Sequence, residues 1–510
     1  MTHIKLRVQN VNTSVDGHLD KSTYDAFKKY LGFSDDKAIW RARQLEKKLA
    51  SQGKNTSWVK NWDGVQTTVQ YNRKTKEISF PSGLLSRARE FFKITGRTVG
   101  LVDARAATHK VGGYSMSDWF EPRDYQSIIR DDACNIGRGI IKVATGGGKT
   151  ALSASIIAEL GCEPTIFYVT SNDLRKQAKD ELEKFIRKNG QDIEVGEVGG
   201  GKFNIQPITV MTVQTAIRAL GHRYTPYDEE DDGAKRDKQK LNDKQKKEIK
   251  DLIHSANVMV CDEVQHWAAK TCQAISEASY SARNRYGLSA TPWRDLGDDM
   301  LIDACFGKAI ADINASFLID RDFLVKPTIY FVHNRLPNLE GAYQTVYKEG
   351  IVENADRNLM ISNVAQKMVE HGRQVLILVR FIEHGTTLEA MIPDSFFIHG
   401  SHTEKQRVDR LTKMRQREAS ITISTSIFDE GVDVKPLDGL ILGGSGKSQT
   451  RALQRVGRII RPYSEEASGF IKKDAFVVDF QDNMKYMLGH SRKRRQIYET
   501  EPKFEIRDWK

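Results

Sequence analysis

From about Phe120 onward, short apolar runs alternate with longer amphipathic stretches, and several of the runs end in Gly, Ser, Thr or Asp. Strands buried on both faces read as continuous apolar runs, and parallel neighbours need a crossover helix between them. The pattern predicts strands at Gly139 to Val143, Thr165 to Val169, Ile208 to Met211, Val258 to Cys261 and Arg285 to Leu288. A second series follows at Thr328 to Val332, Gln374 to Leu378, Ser395 to Ile398, Ser420 to Ser424 and Gly439 to Leu442. Two series predict two doubly wound parallel α/β domains, over 116–312 and 328–510. Between them, residues 313–327 include SFLIDRDFLVKP, which reads as a short helix and an exit strand stopped by Pro327, the expected hinge.

Residues 1–115 break this rhythm. Thr67 to Tyr71 and Glu77 to Phe80 flank RKTK as a hairpin, and a helix follows from Leu84, so a small α+β module is expected. Tyr227 to Lys250 (YDEEDDGAKRDKQKLNDKQKKEIK) is almost all charged or polar and reads as a solvated insertion, mobile in preference to packed.

Composition narrows the class. At 39% hydrophobic and 28% charged over 510 residues, the chain is long enough for several folded domains. No apolar run approaches the roughly 20 residues of a membrane span, and MTHIKLRVQN lacks an apolar signal block, so a cytoplasmic protein with no membrane partner is expected. Five cysteines without a C-x-x-C pair argue against a disulfide framework and a zinc site. The excess of 78 Lys+Arg over 67 Asp+Glu, +11 in all, leans toward a polyanion such as nucleic acid. Over this length that excess needs support from motifs.

The strongest motif is ATGGGKT (Ala144 to Thr150), between the strand ending at Val143 and the helical ALSASIIAEL. Gly146, Gly147 and Gly148 let successive N–H groups turn inward, and the following helix adds its positive end. Lys149 can neutralise the β and γ phosphates of ATP, and Thr150 can ligate Mg2+. The general phosphate-loop pattern wants glycine where Val143 stands. A metal partner should come from an acidic strand end, and VMVC leads directly into Asp262 and Glu263: Asp262 for magnesium, Glu263 as base or water-orienter. GGSGKS (Gly443 to Ser448) also looks like a phosphate loop, but no long helix with an apolar face is expected from Lys447 and no second acidic strand end matches it. It reads as an ordinary loop.

These elements lie within an ordered series, Arg123 to Arg461, that resembles superfamily 2 helicases. RDYQ (Arg123 to Gln126) resembles the adenine-reading element, which implies Gln126 on the base edge with Arg123 or Tyr125 beside it, next to Thr145 and the glycines at the nucleotide. FYVTSNDLRKQ (Phe167 to Gln177) and VMTVQTA (Val210 to Ala216) resemble the segments that touch the strand backbone, implying contacts from Thr170, Ser171, Thr212, Gln214 and Thr215. DEVQH (Asp262 to His266) resembles the DExH box, and SATP (Ser289 to Pro292) motif III, which in the family links the ATP and nucleic-acid sites. VLILVRFIEHG (Val375 to Gly385), with Arg380, resembles motif IV, and IHGSHTEKQR (Ile398 to Arg407) the segment after it. ISTSIFDEGVDVKP (Ile423 to Pro436) resembles motif V, implying Thr425 at nucleic acid and Gly431 and Asp433 at nucleotide. QRVGRIIR (Gln454 to Arg461) resembles motif VI; Arg455 and Arg458, three apart and so on one helix face, are implied to reach the γ-phosphate, with Gln454 beside them. The fourth box position holds Gln265, with His266 one place late. Either Gln265 supplies the coupling through its amide or the register is displaced.

YKEGIVENADRN (Tyr347 to Asn358) and VVDFQDNMKYMLGHSRKRRQIY (Val477 to Tyr498) resemble the XPB-like branch. NWDG (Asn61 to Gly64) and FPSGLL (Phe80 to Leu85) are similar to the amino-terminal domain of UvsW-type phage recombination helicases. The resemblance implies two tandem RecA-like motor domains, ATP and Mg2+, and unwinding or branch migration of forked and four-way-junction DNA in recombination, repair or replication restart. A duplex translocase without strand separation, or an RNA helicase, is the alternative. The implied partners are branched or double-stranded DNA, with a single strand in the motor groove, and a bacterial host's cytoplasm if the chain is phage-encoded. In the first module, Trp58, Trp62, Arg73, Lys74 and Lys76 are candidates for reading DNA shape, although Trp62 reads more readily as core, and the run Arg492 to Arg495 is expected at the surface within reach of phosphates.

Overall fold

HIKLRV (His3–Val8) exposes His3, Lys5 and Arg7 and buries Ile4, Leu6 and Val8, the period of a strand with one wet face. In the computed structural model it sits in a five-stranded sheet ordered Gln70–Asn72, Glu77–Pro81, Asn12–Asp16, His3–Val8, Thr98–Asp103. The structure describes residues 3–34, 36–57, 64–222, 241–292, 299–334, 339–425, 434–444, 446, 449–465 and 469–509. Trp58, Trp62, Gly431 and Asp433 therefore lie outside the described residues. Phe27, Phe80, Phe91 and Phe92 fill the module's core, with ring centroids 5.0–5.7 Å apart. The expected hairpin is present as Gln70–Asn72 against Glu77–Pro81. Its first strand is shorter than expected, because Thr68 turns to bond Leu31 and Val65–Thr67 pairs instead with Gly32–Ser34.

Contacts divide the chain into two units, residues 1–142 with 149–312, and residues 143–148 with 313–510. In the first, the amino-terminal module is seated on the first α/β domain. Asn10 Nδ2 donates to the carbonyls of Tyr280 and Ser281 (3.0 and 3.1 Å), Arg138 returns a bond to Asn10 O, and Arg87 pairs with Asp303. FPSGLL has a physical role here: a Cβ on Gly83 would overlap the carbonyls of Asp303 and Ala304, so only glycine permits this approach.

The eight-stranded sheet of this unit is ordered Lys202–Asn204, Gly196–Gly199, Ile208–Thr212, Thr165–Val169, Val258–Cys261, Asn284–Ser289, Arg138–Val143, Ala309–Ile313. All five predicted strands are present, within one or two residues of their expected ends. Tyr114–Met116 pairs with Ile186–Lys188, so the chain has joined this domain by Tyr114. The described end of the charged stretch 227–250 is packed. Residues 227–240 lie outside the described part, but Asp243–Ser255 is a helix, opened by an Asn242 and Gln245 capping box, that buries Ile249, Leu252 and Ile253. Its apolar positions fall at the very end of the charged run, which hides the amphipathic face.

The second unit holds a seven-stranded parallel sheet ordered Ser395–Ile398, Ile421–Ser424, Val375–Leu378, Gly439–Leu442, Asp474–Asp482, Lys326–Asn334, Glu505–Trp509. Pro327 does not stop a strand; it is the second residue of Lys326–Asn334, ahead of the pairing with Glu505–Trp509 that begins at Thr328. Residues 313–327 are packed into this unit: the buried Glu501 carboxylate accepts from Ala315 N, Ser316 N and Ser316 Oγ, and Val325 N bonds Ile460 O.

Two expectations need correction. A helix, Gln449–Ile459, does follow GGSGKS, burying Ala452, Val456 and Ile459. The loop still does not form an anion cradle among its described residues, since its carbonyls face cations: Gly443 O accepts from Arg357, and Gly446 O from Arg494. Nor is Arg492 to Arg495 a uniform surface run. Arg492 and Lys493 are exposed, but Arg494 is buried in a bidentate pair with Asp479 (2.6 and 2.8 Å), and Arg495 pairs with Asp508. Arg494→Ala leaves Asp479, wholly buried, without its counter-charge, and is expected to destabilise the protein by about 3–5 kcal/mol. Urea denaturation followed by tryptophan fluorescence checks this.

Candidate active site

The strand Arg138–Val143 ends in a loop whose shape depends on glycine. Gly146 and Gly148 have φ of +86° and +75°, in the left-handed region, and a Cβ on Gly147 would overlap Val143. Val143, fully buried, thus occupies the place of the missing pattern glycine and makes Gly147 obligatory. Helix Lys149–Leu160 starts directly after, with residues 151–158 buried, so its N-terminus is held rigidly at the loop. The loop's N–H groups and that helix end form a cradle suited to phosphate.

Val258–Cys261 is buried along its whole length and delivers Asp262 and Glu263 at its carboxyl end. Glu263 has φ +50°, unusual for a non-glycine residue. Its N–H donates to Asp262 Oδ1 (3.0 Å), which orients the Asp262 carboxylate at the turn into Glu263. Burial pushes the Asp262 carboxyl up to about 7, the Glu263 charge adds to this, and Lys149 pulls the other way. Two adjacent carboxylates opposed by one lysine form a site short of positive charge. Hard oxygen donors from Asp262 and Thr150 fit Mg2+, which would lower the Asp262 carboxyl on binding.

The question posed by the box is answered by geometry. Gln265, buried, donates from Nε2 to Glu263 Oε2 (2.8 Å) and accepts at Oε1 from Ser289 Oγ (2.7 Å). Ser289 Oγ in turn accepts from Thr291 N (3.0 Å). A glutamine can do this because it donates and accepts at once. Gln265 therefore joins the acidic strand end to the SATP segment, the arrangement that coupling through its amide requires. Gln265→Ala breaks both bonds, one of them to a charged group worth roughly 1.5–3 kcal/mol. About a tenfold or greater loss of nucleic-acid-stimulated ATP hydrolysis is expected, with nucleotide affinity little changed, read by phosphate release and nucleotide titration.

Tyr125 and Gln126 are buried at the start of helix Asp124–Ile136. Arg123 N donates to Gln126 Oε1 (3.0 Å), and Arg123 Nη1 to Tyr125 OH (3.0 Å), so the three residues hold one another. Ser171 Oγ caps helix Asn172–Phe185 by accepting from Leu174 N, and Gln214 Nε2 donates to Thr170 O. Thr212 and Thr215 depart from expectation. Both are buried and hydrogen-bonded to each other (2.8 Å), so their hydroxyls hold the turn and do not face outward. Thr425 is likewise buried, its N–H bonded to Ile398 O.

In the second unit, Gln454, Arg455 and Arg458 lie on helix Gln449–Ile459; burial pushes the Tyr347 and Tyr498 phenols well up, and the nearby Arg455 charge opposes this only in part. The XPB-like segments meet here: Arg357, buried, bonds Asp482 through Nε and Nη2 (2.9 and 3.1 Å). Neither partner was singled out from the sequence. Arg380 lies over Tyr343, Tyr347 and Phe381.

The family described as Type III restriction enzyme, res subunit matches residues 119–294, and Helicase conserved C-terminal domain matches residues 357–463. The chain is similar to the DNA 3'-5' translocase XPB2 of Sulfurisphaera tokodaii, 26% identical over 396 residues, covering 69% of this chain and 81% of that one. It is also similar to the ATP-dependent DNA helicase uvsW of Enterobacteria phage T4, 21% identical over 484 residues, 86% of this chain and 89% of that one. Three other viral and archaeal helicase relatives are matched over only 50–64% of their own length. The S. cerevisiae Dbp5 structure shares the fold, with a TM-score of 0.50 at 13% identity, covering 77% of this chain and 90% of that one. No described helix is long and apolar enough to cross a membrane.

Proposed function

We propose, the chain being a superfamily 2 helicase that resembles the UvsW and XPB proteins, that it is an ATP-dependent DNA motor that unwinds or branch-migrates forked and four-way-junction DNA. The observation that carries this reading is the hydrogen-bonded chain from Glu263 through Gln265 to Ser289, which ties the residue that handles the attacking water to a segment outside the phosphate site. A protein that merely bound nucleotide would have no use for that link.

The residues divide the work. The N–H groups around Gly146 to Gly148 and the Lys149 ammonium hold and neutralise the ATP phosphates. Mg2+, when bound by Thr150 and Asp262, supplies charge neutralisation on the transferring phosphoryl group. Glu263 orients the attacking water and takes its proton. Arg455 and Arg458 complete the charge balance on the γ-phosphate, with Gln454 beside them. Gln126, with Arg123 and Tyr125, reads the adenine, and Gly431 and Asp433 belong to the same nucleotide set. The DNA contacts that remain after burial is considered are those of Thr170, Ser171, Gln214 and Arg380. ATP turnover alternates two states of the motor, and strand grip follows that alternation. The setting is the cytoplasm, that of a bacterial host if the chain is phage-encoded.

Phosphate release tests this directly, measured without nucleic acid and with single-stranded, forked and four-way-junction DNA and matching RNA. Strongest stimulation by branched DNA is expected. Greater stimulation by RNA would replace the reading with an RNA helicase, and no stimulation by any nucleic acid would remove the motor function.

A further inference from the structure

We propose that the second motor domain carries a base-stacking platform for single-stranded DNA, formed by Phe381 and Tyr486 with the cations Arg380 and Lys485. The proposal rests on the DNA-motor reading above and adds a mode of strand recognition that phosphate contacts do not provide.

Four aromatic rings form a continuous row. Phe381 meets Tyr347 at 5.5 Å, Tyr347 meets Tyr343 at 5.8 Å, and Tyr343 meets Tyr486 at 5.8 Å. The inner rings are structural, Tyr347 being wholly buried and Tyr343 half-buried. The end rings also open to solvent: Phe381 is 43% and Tyr486 40% exposed, the Tyr486 hydroxyl donating to Gly341 O. Aromatic faces open to water at both ends of a packed row are held in place and available for stacking. Cations sit on the same rings. Arg380 lies 5.2–5.9 Å from the centroids of Phe381, Tyr347 and Tyr343, and Lys485 lies 5.3 Å from that of Tyr486. An aromatic face with a cation beside it suits a nucleotide, whose base stacks while its phosphate is neutralised.

Topology places the row where a ligand is expected. Arg380 and Phe381 follow Val375–Leu378, Gly443 and Gly444 follow Gly439–Leu442, and Tyr486 follows Asp474–Asp482, three adjacent parallel strands. After Val375–Leu378 the chain crosses to the edge strand Ser395–Ile398, comes back inward at Ile421–Ser424, then passes to the other side at Gly439–Leu442. This is a topological switch point, and open α/β sheets bind ligands at the carboxyl ends of the strands there. Gly444 lets the strand end pack closely under the row, since a Cβ would stand 2.8 Å from the Tyr347 hydroxyl and 3.1 Å from Arg380 N. That hydroxyl, buried, has no hydrogen-bond partner among the described residues. Glu383, in the first turn of helix Ile382–Met391, is the nearby acid, and its charge bears on Lys348.

The test compares affinities of the full chain for a thymidine 20-mer and for an abasic 20-mer carrying the same phosphates, by fluorescence anisotropy. Wild type should prefer the 20-mer with bases. Phe381→Ala should weaken binding to it by about five- to a hundredfold, leave the abasic strand unaffected, and be rescued by Phe381→Trp. Unchanged abasic binding also reports that the variant is folded. Tyr486→Ala should act in the same direction, and Arg380→Ala should weaken both strands. Equal affinity of wild type for the two strands, or equal loss on both in Phe381→Ala, overturns the platform and leaves the motor reading standing. Wild type that binds neither strand and shows no DNA-stimulated hydrolysis removes the motor reading, and the platform with it.

Discussion

Replacing Glu263 by glutamine is expected to lower DNA-stimulated ATP hydrolysis by roughly 10²–10⁴-fold, with nucleotide still bound. The change removes the charge that accepts the water proton and keeps the shape. Glutamine at 263 can still accept from Gln265 Nε2 at the position now held by Glu263 Oε2, so the link to Ser289 persists. The backbone is equally specific: Glu263 stands at φ +50°, a conformation that costs of order 1–3 kcal/mol and persists only where surrounding structure imposes it. Here the imposing contacts are the buried strand Val258–Cys261 before it and the short helix Val264–Ala268 after it. Single-turnover phosphate release and nucleotide titration separate the two effects. A variant that hydrolyses at the wild-type rate would remove Glu263 from the chemistry, and one that no longer binds nucleotide would make its role structural.

Arg458→Ala should cost about 10³–10⁵ in turnover. The side chain lies on helix Gln449–Ile459, whose opposite face is anchored by buried Ala452, Val456 and Ile459, so truncation leaves the helix in place. Arg458 is a cleaner probe than Arg455, whose charge also bears on the buried Tyr347 and Tyr498. Lysine at 458 should not restore the rate, because an ammonium cannot present the planar paired donors of a guanidinium to phosphate oxygens. Full rescue by lysine would reduce the role to simple charge. Steady-state turnover at saturating DNA, with thermal melting as a control for folding, distinguishes these outcomes.

Much of this was legible in the residues because the physics is local. Val258–Cys261 reads as a buried strand from its own four apolar side chains, and Asp262 and Glu263 follow it directly. The phosphate loop is likewise contiguous. Strands that carry their own charges were hidden: Asp474–Asp482 buries Asp479 in its interior and Asp482 at its end, tolerated because Arg494 and Arg357 arrive from distant helices to neutralise them. Gly196–Gly199 was hidden by its glycines, and Pro327 suggested a break where a strand start paired on one side only, with Asp474–Asp482, accommodates it. In the site, the roles that depended on orientation were out of reach. Thr212 and Thr215 occupy the expected motif yet turn their hydroxyls to each other, and Gln265 finds Ser289 only through the sheet. The aromatic row draws on residues from Tyr343 to Tyr486 and leaves no local signature.

The central claim is that ATP turnover at this site drives the remodelling of branched DNA. The most direct measurement is a four-way junction with each arm separately labelled, incubated with the protein and ATP, beside a triplex reporter on plain duplex. Conversion of the junction to forked duplex products, with ATP and not with a non-hydrolysable analogue, is the predicted result. Displacement of the triplex strand while the junction arms stay intact would contradict the claim and leave a translocase that moves along duplex without rearranging it.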